Sequence, residues 1–405
     1  MLDYRQLDWK LIGAVLTLSI IGIVLIMSAQ YHADSEYARH YYLRQLMWLG
    51  VALLAFTVVI HLPYRLFDAG AYLLYAFVLI LLVGVLFFGA TRMGATRWFS
   101  FGPINFAPAD MAKLVLIFAL ARFFSYTKLP SHSKRRLALS LMMAGIPMML
   151  ILRQPDLGTS LVFPVLLFAL WFWSGLSPLY LLLILSPIAS LITASHWLAW
   201  SIYFAVLIAV LIVAKPGIGF GFVTVVANLT FGIVTPFFWN RLAEYQKLRI
   251  LSFLDPSSDP RGAGYQIIQS KIAIGSGGVW GKGFLSGSQT RLDFLPERHT
   301  DFIFSVLGEE FGLWGSLVVL LLFGYLFYRG IRIAAKARSR FLSYVAFGAV
   351  TIFFFQFLVN IGMTLGFMPV TGLPLPFVSY GGTALVLSWT LVALLVKADY
   401  HWQEY

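Results

Sequence analysis

In the segment PADMAKL, Asp110 and Lys113 stand three residues apart, a spacing that places a carboxylate and an ammonium on one face of a helix. Farther on, LRQPDLGT carries Arg153 and Asp156. Charges in apolar surroundings are costly, so each is paired or serves a ligand. Two chemistries fit. One is an ion pair of Lys113 with Asp156 or Asp110 that holds helices together; the other is a cation kept in a low-dielectric site to receive a phosphate. The two are compatible. Arg122, near the far end of the helix that carries Lys113, reads as a side chain snorkelling to the interface.

A second set of candidates lies between 239 and 300. NRLAEYQKLRILSFL spaces Leu242, Tyr245, Leu248, Leu251 and Leu254 three apart with Arg241, Lys247 and Arg249 between them, which predicts a helix lying in a membrane interface. Asp255 closes it, because Pro256 disfavours helical geometry in the residue before it. Local pattern alone makes Asp255 a turn residue. PSSDPRGAG is turn-rich, and YQIIQSKIAIG, with Lys271, predicts a short helix. GSGGVWGKG looks like a phosphate loop but has Ser276 where a Walker motif needs glycine and Gly283 where it needs Ser or Thr. It reads instead as a tight backbone path with Lys282 available for an anion. In LPERHTDFIF, Glu297, Arg298, His299, Thr300 and Asp301 crowd the start of the next apolar run, where acidic groups favour a helix N-terminus. One histidine without partners at ligand spacing does not make a zinc site, and the chain has no cysteine. No metal site is expected.

The elements that position these residues are membrane helices. Of 405 residues, 60% are hydrophobic and 11% charged, and the mean hydropathy is +0.83, too apolar for a water-soluble domain of this size. Blocks near 10–29, 43–60, 71–89, 109–125, 137–152, 158–174, 179–195, 197–214, 218–238, 302–328, 341–360 and 376–397 match the ~20 residues that cross a hydrocarbon core. This predicts twelve crossings and one membrane domain over 1–405, with the long loop 239–300 outside. The first block is too long for a signal-peptide core and stays a span. With the N-terminus inside, inner segments hold fourteen Lys and Arg, whereas short outer segments hold Arg39, Arg44, Arg92, Arg97 and Arg153. Both termini are therefore expected on the cytoplasmic side. The net charge of +12 is scattered along membrane faces, which points to anionic membrane lipids and not to nucleic acid.

Several stretches resemble the SEDS family, and in particular its RodA type: GATRWF at 94–99, PADMAKL at 108–114, QPDLGT at 154–159, FLDPSSDPRGAGYQIIQSKIAIGSGGVWGKG at 253–283, LPERHTDFIFSVLGEE at 295–310 and NIGMTLGFMPVTGLPLPFVSYGG at 360–382. The resemblance implies an all-α polytopic bundle of ten core spans, so the crossings near 197–238 read as an inserted hairpin. It implies a peptidoglycan glycosyltransferase that polymerises lipid II at the outer face of the bacterial cytoplasmic (inner) membrane during elongation and rod-shape maintenance. It also implies a class B penicillin-binding protein as partner, within the elongation machinery, and a growing glycan strand as product. The family's essential loop aspartate falls on Asp255, and its charged helix pair and partner acid fall on Asp110, Lys113 and Asp156. The family usually carries Glu where Asp110 stands, one methylene longer.

On that reading Asp255 is the general base toward the acceptor hydroxyl, and Lys113, Lys282 and Arg298 stabilise the departing pyrophosphate. Arg153, Lys271 and His299 complete the charged set. No cofactor is tightly bound; a divalent cation, magnesium or manganese, arrives with the pyrophosphate. The helices near 302–328 and 341–360, with Gly348, Phe353, Phe354 and Phe355, are the expected docking surface for the partner's span. The rival is a flippase of lipid-linked precursors, which would place polar groups near the midplane and in both leaflets. The sequence confines its acid and base cluster to the outer half.

Overall fold

Each of the twelve predicted crossings falls on one helix. The computed structural model describes residues 4–32, 35–92, 95–101, 104–241, 247, 255, 263–291 and 294–403. Its long elements are α1 (Trp9–Gln30), α2 (Tyr41–His61), α3 (Tyr64–Phe88), α4 (Pro108–Tyr126), α5 (Lys134–Leu152), α6 (Leu157–Trp173), α7 (Pro178–Thr193), α8 (Trp197–Ala214), α9 (Ile218–Arg241), α10 (Ala263–Gly277), α11 (Ile303–Lys336), α12 (Arg340–Thr364) and α13 (Gly382–Gln403). Among the described residues nine helices are long and apolar enough to cross a membrane, and the chain is a multi-pass membrane protein. The predicted short helix in the long loop is α10. The predicted interfacial helix, with Leu242, Tyr245, Leu248, Leu251 and Leu254, lies outside the described residues.

The core is built around α12 and α13. α13 packs on α2, α4, α11 and α12, and α12 also meets α4 and α6. This encirclement corrects the expectation for Gly348 and Phe353. A Cβ on Gly348 would lie 3.0 Å from Ile117 and 3.3 Å from Leu166, and Phe353 is fully buried with its ring 5.1 Å from that of Phe377. Both face the bundle because α12 is surrounded on those sides; Phe354 is the exposed aromatic of the three. The α8 and α9 hairpin sits at the periphery, where Leu207 is the buried residue of α8. It is tied to α7 by polar groups: Ser190 donates to the Asn228 carbonyl at 2.8 Å, Tyr203 to the Ser186 carbonyl at 2.6 Å and Asn228 to Ser186 Oγ at 2.7 Å. Such pairs hold helices together in lipid, where hydrophobic force between them is weak.

At one end of the bundle, Asp8 caps α1 by accepting from the Leu11 amide at 3.1 Å. It also accepts from Arg329 Nε at 2.5 Å, and Arg329 Nη2 reaches Asp399 at 3.2 Å. Both ends of the described chain therefore lie together. Lys397, buried beside them, donates to the carbonyls of Val59, Ile60 and Leu62, acceptors that a helix C-terminus leaves unpaired. Arg122 has a carboxylate partner. It pairs with Asp68 at 3.2 Å under the rings of Tyr72 and Tyr126, because α3 supplies a carboxylate at that level. Acid and base groups thus occupy this end as well as the opposite one, correcting the expectation that they are confined to the outer half.

At the opposite end, β1 (Ala90–Arg92), β2 (Ala95–Phe101) and β3 (Ile104–Phe106) form an antiparallel sheet in the order β1-β2-β3 between α3 and α4. There too α11 is broken at Gly312, whose φ of 60° and ψ of −154° belong to a region essentially reserved for glycine. A Cβ on Gly312 would lie 2.7 Å from the Val279 carbonyl and 2.9 Å from that of Gly278. Gly312→Ala should lower the thermal midpoint of the detergent-purified protein by several degrees, following a strain of ~1–3 kcal/mol before any contact cost. Gly324→Ala, on the same helix with nothing within 4 Å of the added carbon, should not; equal midpoints for the two variants would show that the break places no demand on residue type.

Candidate active site

The end that carries the sheet gathers the candidate residues from several helices. Pro108 opens α4, where its missing N–H costs nothing, and the first turn then presents Asp110. Lys113 Nζ lies 2.7 Å from Asp110 Oδ1, and Thr383, at the start of α13, donates to Asp110 Oδ2 at 2.7 Å. The shorter acid therefore reaches its partner. Lys113 is 2% exposed and borders a cavity of about 10 Å³ lined also by Gln356, Pro374, Ser379 and Ser388, room for about one water. Of the two pairings left open for Lys113, the structure selects Asp110.

Asp156 has other work. It caps α6 by accepting from the Thr159 amide at 3.1 Å and lies 3.9 Å from Arg97 Nε on β2. Arg97 also donates to the carbonyls of Gln154 and Pro155, so the sheet is fastened to the turn between α5 and α6. Arg153, in that same turn, is exposed and lines a groove on α5. The four helix charges do not converge on one point: Asp110 pairs with Lys113, Asp156 lies beside Arg97 of the sheet, and Arg153 is exposed.

The glycine-rich run is a backbone path, as expected, but Lys282 is not left available for an anion. Its Nζ is 2.8 Å from Glu309 Oε1, which also accepts from Ser288 at 3.1 Å and from the Gln289 amide at 3.0 Å. Glu309 is fully buried, and an unpaired acid there would be prohibitive. Arg298 is likewise withdrawn: it is 6% exposed and donates from Nε to the Ala29 carbonyl at the end of α1 at 2.5 Å. Lys271 on α10 is exposed, with its Cε and Nζ over Gly366. Asp255 is exposed and outside regular secondary structure.

His299 and Asp301 sit inside this end, not at a solvated helix start. The His299 ring lies 5.0 Å from that of Tyr41 and 5.7 Å from Tyr380, and Tyr41 stacks on Tyr380 at 4.7 Å. Burial lowers the His299 pKa, with Glu297 opposing and Arg298 assisting. Two chain segments hold the pair. Asn360 donates to the carbonyls of Asp301 at 2.9 Å and Leu373 at 2.8 Å, Ser379 donates to the Thr300 carbonyl at 2.6 Å, and the Tyr380 amide donates to the His299 carbonyl at 2.9 Å. Glu309, Glu310 and Asn360 were missed by motif reading; the signal was their polarity within an apolar run. Among the described residues no group of three or more His, Asp or Glu is arranged to hold a metal ion.

Burial raises the Asp301 carboxyl from its ordinary 3.8 to about 7, with Glu297 and Asp156 pushing the same way and Arg97 opposing. Between those two values the folded chain keeps a proton that the unfolded chain has lost, so this group makes stability fall as pH rises from about 4 to about 7. Asp301→Asn should remove that component: the midpoint of the variant should decline less than that of the parent across the window, measured by scanning fluorimetry in detergent. Parallel declines would mean that Asp301 is ionised in the folded protein.

The FtsW/RodA/SpoVE model, described as a cell cycle protein family, matches residues 8–207 and 189–404. The chain is 40% identical over 400 residues to the peptidoglycan glycosyltransferase MrdB of Escherichia coli K12, covering 98% of this chain and 95% of that one. It is 32% identical over 422 residues to the peptidoglycan glycosyltransferase RodA of Treponema pallidum, covering 97% of both. Among solved structures, it resembles a chain of a peptidoglycan synthase complex that coordinates polymerization and crosslinking, with a TM-score of 0.71, 31% identity and 98% and 99% of the two chains covered. The rod shape determining protein RodA of Thermus thermophilus matches with a TM-score of 0.65, 27% identity and 98% of both chains. Matched from end to end in sequence and in helical architecture, the chain belongs to the FtsW/RodA/SpoVE family of membrane proteins.

Proposed function

We propose that this chain polymerises lipid II into glycan at the outer face of the bacterial inner membrane, with both termini cytoplasmic and the 239–300 loop outside. The observation that carries the reading is the gathering of buried and exposed acid and base groups from α4, α6, α10, α11 and the sheet at one end of the bundle, joined to a family whose named members are glycosyltransferases. Asp255, exposed and in an irregular segment, takes the proton of the acceptor hydroxyl. The oxygen then bonds to the anomeric carbon while the lipid pyrophosphate departs with the electron pair. Lys271 meets the charge on the leaving group; a divalent cation arriving with the substrate would add further positive charge there. The Asp110–Lys113 pair holds α4 to α13 beneath the site. The peripheral hairpin of α8 and α9, with Leu207 the buried residue of α8, fits the reading of an inserted pair of spans.

Asp255→Asn keeps the shape of the side chain and removes the base. Purified variant protein should polymerise lipid II at least ~10²-fold more slowly than the parent, the lower range for a lost general base, with thermal midpoint unchanged. Polymerisation at the parent rate by the Asn variant would exclude Asp255 as the base.

The partner in this reading is a class B penicillin-binding protein with a single span. In this reading its docking face is the exposed stripe of Leu313, Leu317, Val318 and Leu321 on α11 with Phe354 and Leu358 on α12, since Gly348 packs inside the bundle. Leu321→Arg should weaken co-purification with the partner by about tenfold and abolish partner-stimulated synthesis, since a cation in that stripe costs ~2.5–3.5 kcal/mol. Unchanged co-purification would place the partner on another face.

A further inference from the structure

α5 carries an open groove of ≈ 420 Å³ lined by Met142, Gly145, Ile146, Met149, Leu150 and Arg153. The spacing of these residues puts them on one outward face of the helix. Gly145 forms the notch, since a Cβ there would meet nothing within 4 Å. Met142 and Met149, 60% and 61% exposed, flank the notch with adaptable side chains. At the outer end stands Arg153, exposed and with no ion pair among the described residues, whereas Lys113, Lys282 and Arg97 are each engaged with a carboxylate. An apolar channel that ends in a free guanidinium complements an amphiphile with a hydrocarbon tail and a phosphate head. The next three residues lead to Asp156 and its contact with Arg97, so the head of such a molecule is delivered beside the charged cluster.

We infer that the α5 groove is a landing site for the polyprenyl chain of a lipid-linked pyrophosphate, with Arg153 on the phosphate, from which the substrate passes to the active site. The assignment rests on the glycosyltransferase reading for its substrate class and adds to it the path of entry. The notched floor suits a methyl-branched isoprenoid better than a straight acyl chain, and the guanidinium fork can engage two oxygens of a pyrophosphate.

The test uses detergent-purified full-length protein and a benzophenone-bearing polyprenyl diphosphate that carries no sugar. Photolabelled peptides should map to 142–153. Gly145→Phe, which fills the notch and leaves the cation, and Arg153→Gln, which does the reverse, should each reduce labelling about tenfold. Undecaprenyl diphosphate should compete about tenfold better than phosphatidylglycerol, and inorganic pyrophosphate should compete poorly. Labelling elsewhere, labelling undiminished in Gly145→Phe, or equal competition by phosphatidylglycerol would overturn the assignment, the last making the groove an ordinary site for anionic lipid. No turnover is measured, so these outcomes are independent of whether the protein polymerises lipid II.

Discussion

Non-helical backbone set among membrane helices must have its amides and carbonyls satisfied within the protein, and this constraint shapes the whole end that carries the sheet. Two such segments, 294–302 and 365–381, run side by side. Each supplies what the other lacks. Asn360 spans Asp301 and Leu373, Ser379 reaches Thr300, and Gln45 on α2 closes the set by donating to the Ser379 carbonyl at 3.2 Å and accepting from the Gly381 amide at 3.2 Å. An unmet buried group costs about 1–3 kcal/mol, so the segments are fixed together or not at all. The positions of His299, Asp301 and Thr383 follow from that lock.

With the frame fixed, the charges divide by what surrounds them. Lys113 and Lys282 are spent on Asp110 and Glu309, pairs whose worth lies in avoiding an uncompensated buried charge more than in attraction. Among the candidate residues, Asp255, Lys271 and Arg153 are exposed. Asp301, held neutral up to about pH 7 by burial, adds no charge to repel an anionic substrate. The buried pairs build the site, and the exposed groups are the ones able to meet a ligand.

Helix positions were legible because a span of about 20 apolar residues has few alternatives, and the charged residues of α4 and α6 were legible because charge in such a run is conspicuous. Partnership was harder to read. The spacing of Asp110 and Lys113 allowed their pair, but nothing in QPDLGT distinguished a partner for Lys113 from a helix cap, the role Asp156 takes. Lys282 and Arg298 looked available because their partners, Glu309 and the Ala29 carbonyl, come from segments 27 and 269 residues away. Gly348 looked like a docking position because composition marks a close-packed face without saying which neighbour, internal or external, fills it.

α13 is the most enclosed of the candidate spans, with 72% of its apolar window buried, yet it follows every one of its partners in the chain. The helices made before it must therefore wait with an unfilled slot lined by α2, α4, α11 and α12. Until α13 arrives, Asp110 lacks Thr383, and the carbonyls at the end of α2 lack Lys397. The bundle thus cannot close around a partly made chain. Order of synthesis becomes a checkpoint: a nascent chain truncated before Gly382 leaves polar groups facing lipid, the kind of defect by which a membrane quality-control protease could recognise it.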